Sequence, residues 1–307
     1  MSPARSAEER RGEKVDGGPR PFVPLTPRGL ERHPCYSHAA HARYGRIHLP
    51  VAPRCNLGCN YCERRVGGMT YHAHRPAVAD RVLTPQEAVE QVARHLIEHR
   101  LTVAGIAGPG EPLHNPETFE TLRLVGRRFP ELILCLSTNG LLLSRYAGEL
   151  HALGVETLTV TLNTVDPAVG ARIYSHVDLN GNVLTGPEGA AALLARQLDG
   201  IRLAVRRGIT VKVNSILLPG VNDTGHLEEV ARRTRALGAQ VQNITPLIPL
   251  GHFRDLAPPT CAELRAARLR CERIIRQFRS CQQCRADAVG VPGARGTPAA
   301  GPDRLTI

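Results

Sequence analysis

Cys55-Asn-Leu-Gly-Cys59-Asn-Tyr-Cys62 puts three cysteines at Cys-x3-Cys-x2-Cys spacing in a loop that follows the apolar stretch Ile47 to Ala52. Iron–sulfur clusters are held by cysteine thiolates and usually take four of them. A compact set of three leaves one iron of a 4Fe-4S core without a protein ligand, free to bind a small molecule. The competing readings are a zinc knuckle built on Cys59 and Cys62 with remote partners, or plain buried thiols. Zinc sites more often show paired Cys-x2-Cys units.

Working outward from that loop, strand-like apolar runs at 46–52, 102–107, 131–137, 156–162, 210–217 and 240–245 alternate with helical patterns at 85–99, 116–128, 144–152, 188–207, 225–237 and 260–279. Six such pairs make a repeated βα unit, and a parallel sheet follows from it. Thr84, Pro85 and Glu87 form a capping-box start for the first long helix, and Val89, Val92, Ala93, Leu96 and Ile97 share one apolar face that covers the sheet. Leu132-Ile-Leu-Cys-Leu136 is nearly continuous in apolar residues, as a strand covered on both faces requires. The predicted architecture is α/β, a partial TIM-like (β/α)6 barrel with right-handed crossovers. Pro50 is awkward inside the first strand and leaves the end of that strand open. Residues 1–30 read as a flexible arm, 31–288 as the core with its flanking segments, and the Gly/Pro-rich 289–307 as a flexible tail.

Composition narrows the class. Apolar content is 42%, without any run of 18 apolar residues, and Met1 to Arg20 is polar and charged, so neither a membrane span nor a signal peptide is expected and the location is cytoplasmic. Nine cysteines in a cytoplasmic chain read as metal ligands more readily than as disulfides. The net charge of +11 invites nucleic acid, but aromatic content is 4% and no dense basic run interleaves with aromatics. Only Lys14 and Lys212 of the 39 basic residues are lysine, which looks like a compositional bias towards arginine.

The cysteine spacing, with Tyr61 just before the last thiol, resembles the radical S-adenosylmethionine (SAM) superfamily. That resemblance implies a radical SAM barrel in which Cys55, Cys59 and Cys62 hold a 4Fe-4S cluster whose open iron binds SAM and cleaves it to a 5′-deoxyadenosyl radical. Chemistry in such barrels sits at the C-terminal strand ends. The second strand runs into Ala107-Gly108-Pro109-Gly110-Glu111, where the resemblance places the SAM amino group and where Glu111 occupies the acidic position. Ser137 and Asn139, Asn163, and Lys212 and Asn214 close the next three strands and are the remaining candidates for SAM contacts. Taken singly, each asparagine reads better as a turn or capping residue, and it is their joint placement at successive strand ends that favours the site.

His33-Pro-Cys35-Tyr, Leu134-Cys-Leu-Ser-Thr-Asn-Gly140 and Cys281-Gln-Gln-Cys284-Arg-Ala-Asp-Ala288, together with Ile173-Tyr174 and Pro219-Gly-Val-Asn-Asp223, resemble the NifB family of nitrogenase cofactor-maturation proteins over about residues 33 to 290. Members of that family fuse two 4Fe-4S clusters into an eight-iron core and insert a carbide derived from the SAM methyl group. The resemblance implies His33, Cys35, Cys135, Cys281 and Cys284 as ligands of additional 4Fe-4S clusters. It also implies a cluster donor, a cofactor carrier or scaffold protein, and an electron donor such as a ferredoxin or flavodoxin as partners.

The chain departs from the family between Arg64 and Pro76, where an Asp-Cys-x-Asn-Glu-Ser-Arg-Pro-Gly stretch is usual and the expected Cys and Glu are absent. His72 and His74 are the candidates to substitute, because imidazole can replace thiolate on iron, against the plainer reading of both as solvated loop histidines. Cys261 and Cys271 are additional and read as packed or idle thiols. The separate cluster-carrier domain that some members append is not expected after Cys284. Two functions therefore stand after the sequence is read: an active maturase of the NifB type, or a divergent radical SAM protein that acts on another substrate or stores and passes clusters.

Overall fold

A computed structural model describes residues 27–67 and 75–292. The expected arm up to residue 26, the tail from 293, and His72 and His74 lie outside the described residues. Six parallel strands, β1 (Gly45–His48), β2 (Leu101–Ile106), β3 (Ile133–Thr138), β4 (Val155–Thr161), β5 (Thr210–Leu217) and β6 (Val241–Pro246), stand side by side in chain order. The intervening helices are α1 (Pro85–His95), α2 (Pro116–Arg128), α3 (Leu143–Ala152), α4 (Gly186–Arg206) and α5 (His226–Ala236), with α6 (Cys261–Glu272) after β6. This is a curled, open half-barrel of the (β/α)6 kind. Leu136, Leu150, Leu158 and Val211 are fully buried in the layer between sheet and helices. Removing one such leucine by Leu158→Ala is expected to cost about 2–5 kcal/mol in a denaturant titration of the metal-free chain.

The boundaries differ from expectation where backbone partners decide them. β1 stops at His48, ahead of Pro50, whose carbonyl accepts from Leu83 instead of joining the ladder. α1 stops at His95 and not at residue 99. Arg100 takes a left-handed φ of 48° to reverse the chain, and its carbonyl accepts from Gly45 at the start of β1. α6 ends at Glu272 because the chain then runs beside β6, where Gln242 exchanges backbone bonds with Arg276 and Phe278.

That last contact shapes the site. The C-terminal segment covers both edges of the sheet: 276–278 lies along β6, and β7 (Val289–Gly290) pairs antiparallel with β1. Open edges are thereby blunted. The span between the two edges crosses the opening of the half-barrel and carries Cys281 and Cys284. Val289 and Gly290 are thus strand residues and not the start of a tail, and the helix Pro27–Arg32 begins before the expected end of the arm.

The sequence reading also missed a small antiparallel sheet. Leu57–Cys59, inside the cysteine loop, pairs with Tyr174–Leu179, which pairs in turn with Asn182–Leu184. The short helix Pro167–Ile173 leads into it.

Candidate active site

Side chains alternate across a strand, so every second residue of the half-barrel points inward. Arg46 and His48, Cys135 and Ser137, Thr159 and Thr161, and Lys212 and Asn214 follow that rule and line one cavity of about 310 Å³. Cys55, Cys59, Cys62, Gly110, Glu111 and Asn139 line its outer part, and His33, Cys35, Cys281 and Cys284 join from the two chain ends. Of the candidate site residues read from sequence that lie among the described residues, Gly108 and Asn163 are not on its wall. Cys261 is exposed on the surface, and Cys271 is buried in the main core.

The cysteine loop is held from outside. Cys59 pairs with Tyr174, Asn60 bonds to the carbonyls of Ile173 and Arg172, and Cys62 N–H donates to Cys59 O at 3.0 Å. Burial pushes all three thiols up, Cys62 to about 11 and Cys59 well above its ordinary value. Their mutual proximity adds to the shift at Cys59 and Cys62, while Arg64 opposes it at all three. Buried thiols of this kind lose their protons to a metal group and not to solvent.

Their spacing tests the zinc alternative. Among the described residues, the set of three potential ligands whose atoms all lie within 4.8 Å of one another is His95, Glu98 and His99, at the C-terminal end of α1 and just past it. Neither the loop thiols nor the Cys281 and Cys284 pair with a third ligand closes to single-ion dimensions. Three thiols on one wall, without a carboxylate or imidazole among them, are the donor set that iron–sulfur clusters take.

Gly110 lets the second strand end approach this loop: a Cβ there would sit 2.3 Å from the Arg54 carbonyl, and Gly110 N–H donates to Ala52 O at 2.6 Å. Gly108 has a φ of +127°, a region that favours glycine, and shapes the turn from behind the wall. Glu111 is buried and accepts from Thr138 Oγ1 and the Asn139 N–H, each at 2.6 Å, and from the Leu113 N–H at 3.0 Å. Burial raises its carboxyl to about 7 despite those donors. The folded state therefore holds the proton more tightly than the unfolded one, so this group's contribution is present below about pH 4.5 and is lost as pH rises through about 7. Urea titrations of the metal-free chain should show Glu111→Gln flattening a fall in stability across that window, by at most on the order of 3 kcal/mol.

Asn163 does not face the cavity. Its Nδ2 donates to the hydroxyls of Tyr61 and Tyr174, both at 3.1 Å, and its Oδ1 accepts from Ile216 N–H at 2.9 Å. It ties the cysteine loop, the small sheet and β5 together in place of the expected SAM contact. Asn163→Ala is expected to cost about 2–4 kcal/mol in chemical unfolding, since it leaves several buried partners unpaired.

The inner part of the cavity is a second constellation. Tyr36 OH donates to Leu158 O at 2.5 Å and seats the His33–Tyr36 segment against β4. Cys35 is pushed up to about 12 by burial, with Lys212, Cys284, Arg46 and Cys135 all acting on it, and Cys135 is raised for the same first reason. Lys212 Nζ donates to Cys35 O at 2.9 Å, which puts it here and not beside the cysteine loop. Asn214 accepts from Asn243 Nδ2 at 2.9 Å, and Asn139 Nδ2 donates to Asn56 Oδ1 at 2.9 Å.

His48 is the residue sequence reasoning missed. Its Nδ1 faces the Arg285 carbonyl at 2.9 Å and must donate, which leaves the Nε2 lone pair for the cavity. Burial holds its pKa at about 4, so the ring is neutral. His33 has the opposite arrangement: Nδ1 accepts from the Cys35 N–H at 3.1 Å, so Nε2 carries the proton, buried and without a partner. That is a donor for a sulfide or thiolate, whereas His48 is the better-prepared ligand. Strand alternation with Arg46 was the signal that pointed His48 inward.

An open (β/α)6 half-barrel with three thiols at the mouth of its first strand defines a radical SAM enzyme, and the Radical SAM superfamily matches residues 49–234. A radical SAM methyltransferase from Sphaerobacter thermophilus shares the fold, with TM-score 0.52 and 21% identity over 77% of this chain and 64% of that one. More specifically, the chain belongs to the NifB family. It is 46% identical to the FeMo cofactor biosynthesis protein NifB of Methanocaldococcus jannaschii over 84% of this chain and 86% of that protein. It is 44% identical to NifB of Klebsiella pneumoniae over 89% of this chain but 59% of that protein. Membership implies a 4Fe-4S cluster and SAM. No helix among the described residues is long and apolar enough to cross a membrane.

Proposed function

We propose that the protein makes the eight-iron precursor of nitrogenase cofactor, fusing two 4Fe-4S substrate clusters and inserting a carbide from SAM. The observation that carries this reading is the second set of cavity ligands, Cys35, Cys135, Cys281, Cys284 and His48, facing the same space as the cysteine loop. Cys55, Cys59 and Cys62 would hold the resident cluster. When bound, that cluster with SAM supplies a methyl group and a 5′-deoxyadenosyl radical. Gly110 and the Glu111-ordered turn, with Ser137 and Asn139, shape the wall for SAM, and Tyr61 closes it from the side. The inner thiols and His48 position the substrate clusters, and His33 Nε2–H donates to their sulfur. Substrate clusters come from a donor protein, the product leaves to a carrier or scaffold, and an electron donor serves the cysteine loop.

His41 and His48, which line the inner cavity with Nδ1 on a backbone carbonyl, supply nitrogen where the family's usual loop cysteine is absent, while His33 serves as the N–H donor. Anaerobic reconstitution with iron, sulfide and SAM labelled at the methyl group tests the proposal. Label in an acid-labile cluster product that activates a cofactor-less nitrogenase is the expected result. SAM cleavage without methyl transfer to a cluster would place the protein with radical SAM enzymes that act on another substrate.

A further inference from the structure

Two cations lie buried at the inner end of the cavity with no carboxylate beside them. Arg46 is 2% exposed and Lys212 is 4% exposed, and neither takes part in a salt bridge among the described residues. Arg46 gives Nη1 to Gly290 O at 2.6 Å and Nη2 to Cys284 Sγ at 3.0 Å, and its Nε is buried without a hydrogen-bond partner. Lys212 has the Cys35 carbonyl, and otherwise only the ring faces of Tyr36 at 4.6 Å and Phe278 at 5.4 Å. Leaving a charge out of water and unpaired is strongly unfavourable. A carbonyl or a ring face offsets part of that cost, but neither carries the missing negative charge.

The neighbouring side chains show what would supply it. Cys35, Cys135 and Cys284 border the two cations, and burial disfavours the thiolate form of the first two in the metal-free chain. A 4Fe-4S core ligated by thiolates is a net anion, whereas a free ferrous ion is a cation that this wall repels. Charge-assisted hydrogen bonds from nitrogen to such sulfur are about twice as strong as neutral ones.

Resting on the function proposed above, we propose that Arg46 and Lys212 form an anion-selecting pair that admits the substrate as an intact, thiolate-ligated iron–sulfur cluster, with Arg46 holding the Cys284 sulfur and Lys212 facing the cluster from β5. They are positioning residues. The metal-free protein is destabilised by them, and the loaded protein is stabilised.

That opposite sign is the test. In a Cys55→Ala, Cys59→Ala, Cys62→Ala background all bound iron reports the inner site. Arg46→Met and Lys212→Met are expected to raise the melting temperature of the metal-free chain, and to speed iron loss from the loaded chain to a chelator by about ten- to a hundredfold. The midpoint potential of the inner cluster should move in the negative direction, and Arg46→Lys and Lys212→Arg should restore most of both effects. Because Arg46 also holds the Gly290 carbonyl, Lys212→Met carries the melting comparison if the Arg46 variant unfolds. Iron release and potential unchanged in Lys212→Met, or a metal-free chain that melts lower in that variant, would overturn the pair. A background chain that binds no iron at all would fail the functional reading itself, a result distinct from either.

Discussion

Replacing Cys55, Cys59 and Cys62 together by alanine abolishes 5′-deoxyadenosine formation, to below the detection limit of a chromatographic assay under dithionite. The expectation rests on three features that meet only in the folded chain. The thiols are buried and pushed up by burial, so a metal group displaces their protons. They are not drawn to single-ion spacing. They face a turn whose close backbone approach requires Gly110. A single replacement leaves two thiolates and can retain a labile cluster, which is why the triple variant is decisive. Deoxyadenosine at the parental rate in that variant would move the resident cluster elsewhere.

The second large effect concerns the inner ligands. The reconstituted parent should hold clearly more iron than the roughly four atoms of one cluster, and Cys35→Ala, Cys135→Ala, Cys284→Ala should lose that surplus and with it all nitrogenase activation. Uncoupled SAM cleavage should continue, because these thiols come from the N-terminal segment, β3 and the edge-crossing segment and none lies in the cysteine loop. Adding His48→Ala to single cysteine variants separates nitrogen from sulfur ligation: loss of a nitrogen hyperfine coupling on the inner cluster assigns His48, and its persistence points to His41 or the histidines at 72 and 74. Iron that never exceeds one cluster in the parent would remove the inner site. Zinc recovered in its place would reduce Cys281 and Cys284 to a structural knuckle.

What the sequence determined by itself was the repeating framework and the outer chemistry. Period-two and period-3.6 patterns place strands and helices wherever one face is buried, and a capping box such as Thr84 to Glu87 is complete within four consecutive residues. Cys-x3-Cys-x2-Cys is likewise local, and the fold brings its thiols and the inner ones read from short motifs to the wall of one cavity. Only the tertiary structure decided what depends on contacts between distant residues. Asn163 looked like a strand-end ligand, but the hydroxyls of Tyr61 and Tyr174 draw its amide away from the cavity. Lys212 looked like a partner of SAM, but strand alternation and the Cys35 carbonyl put it at the inner end. Val289 and Gly290 carry no strand pattern, because a two-residue pairing is specified by the free edge of β1 and not by their own side chains. His48 was unreadable as a ligand for a similar reason. Which ring nitrogen is free is set by the Arg285 carbonyl, a residue far away in sequence that reaches β1 only because the C-terminal segment spans both edges of the open sheet.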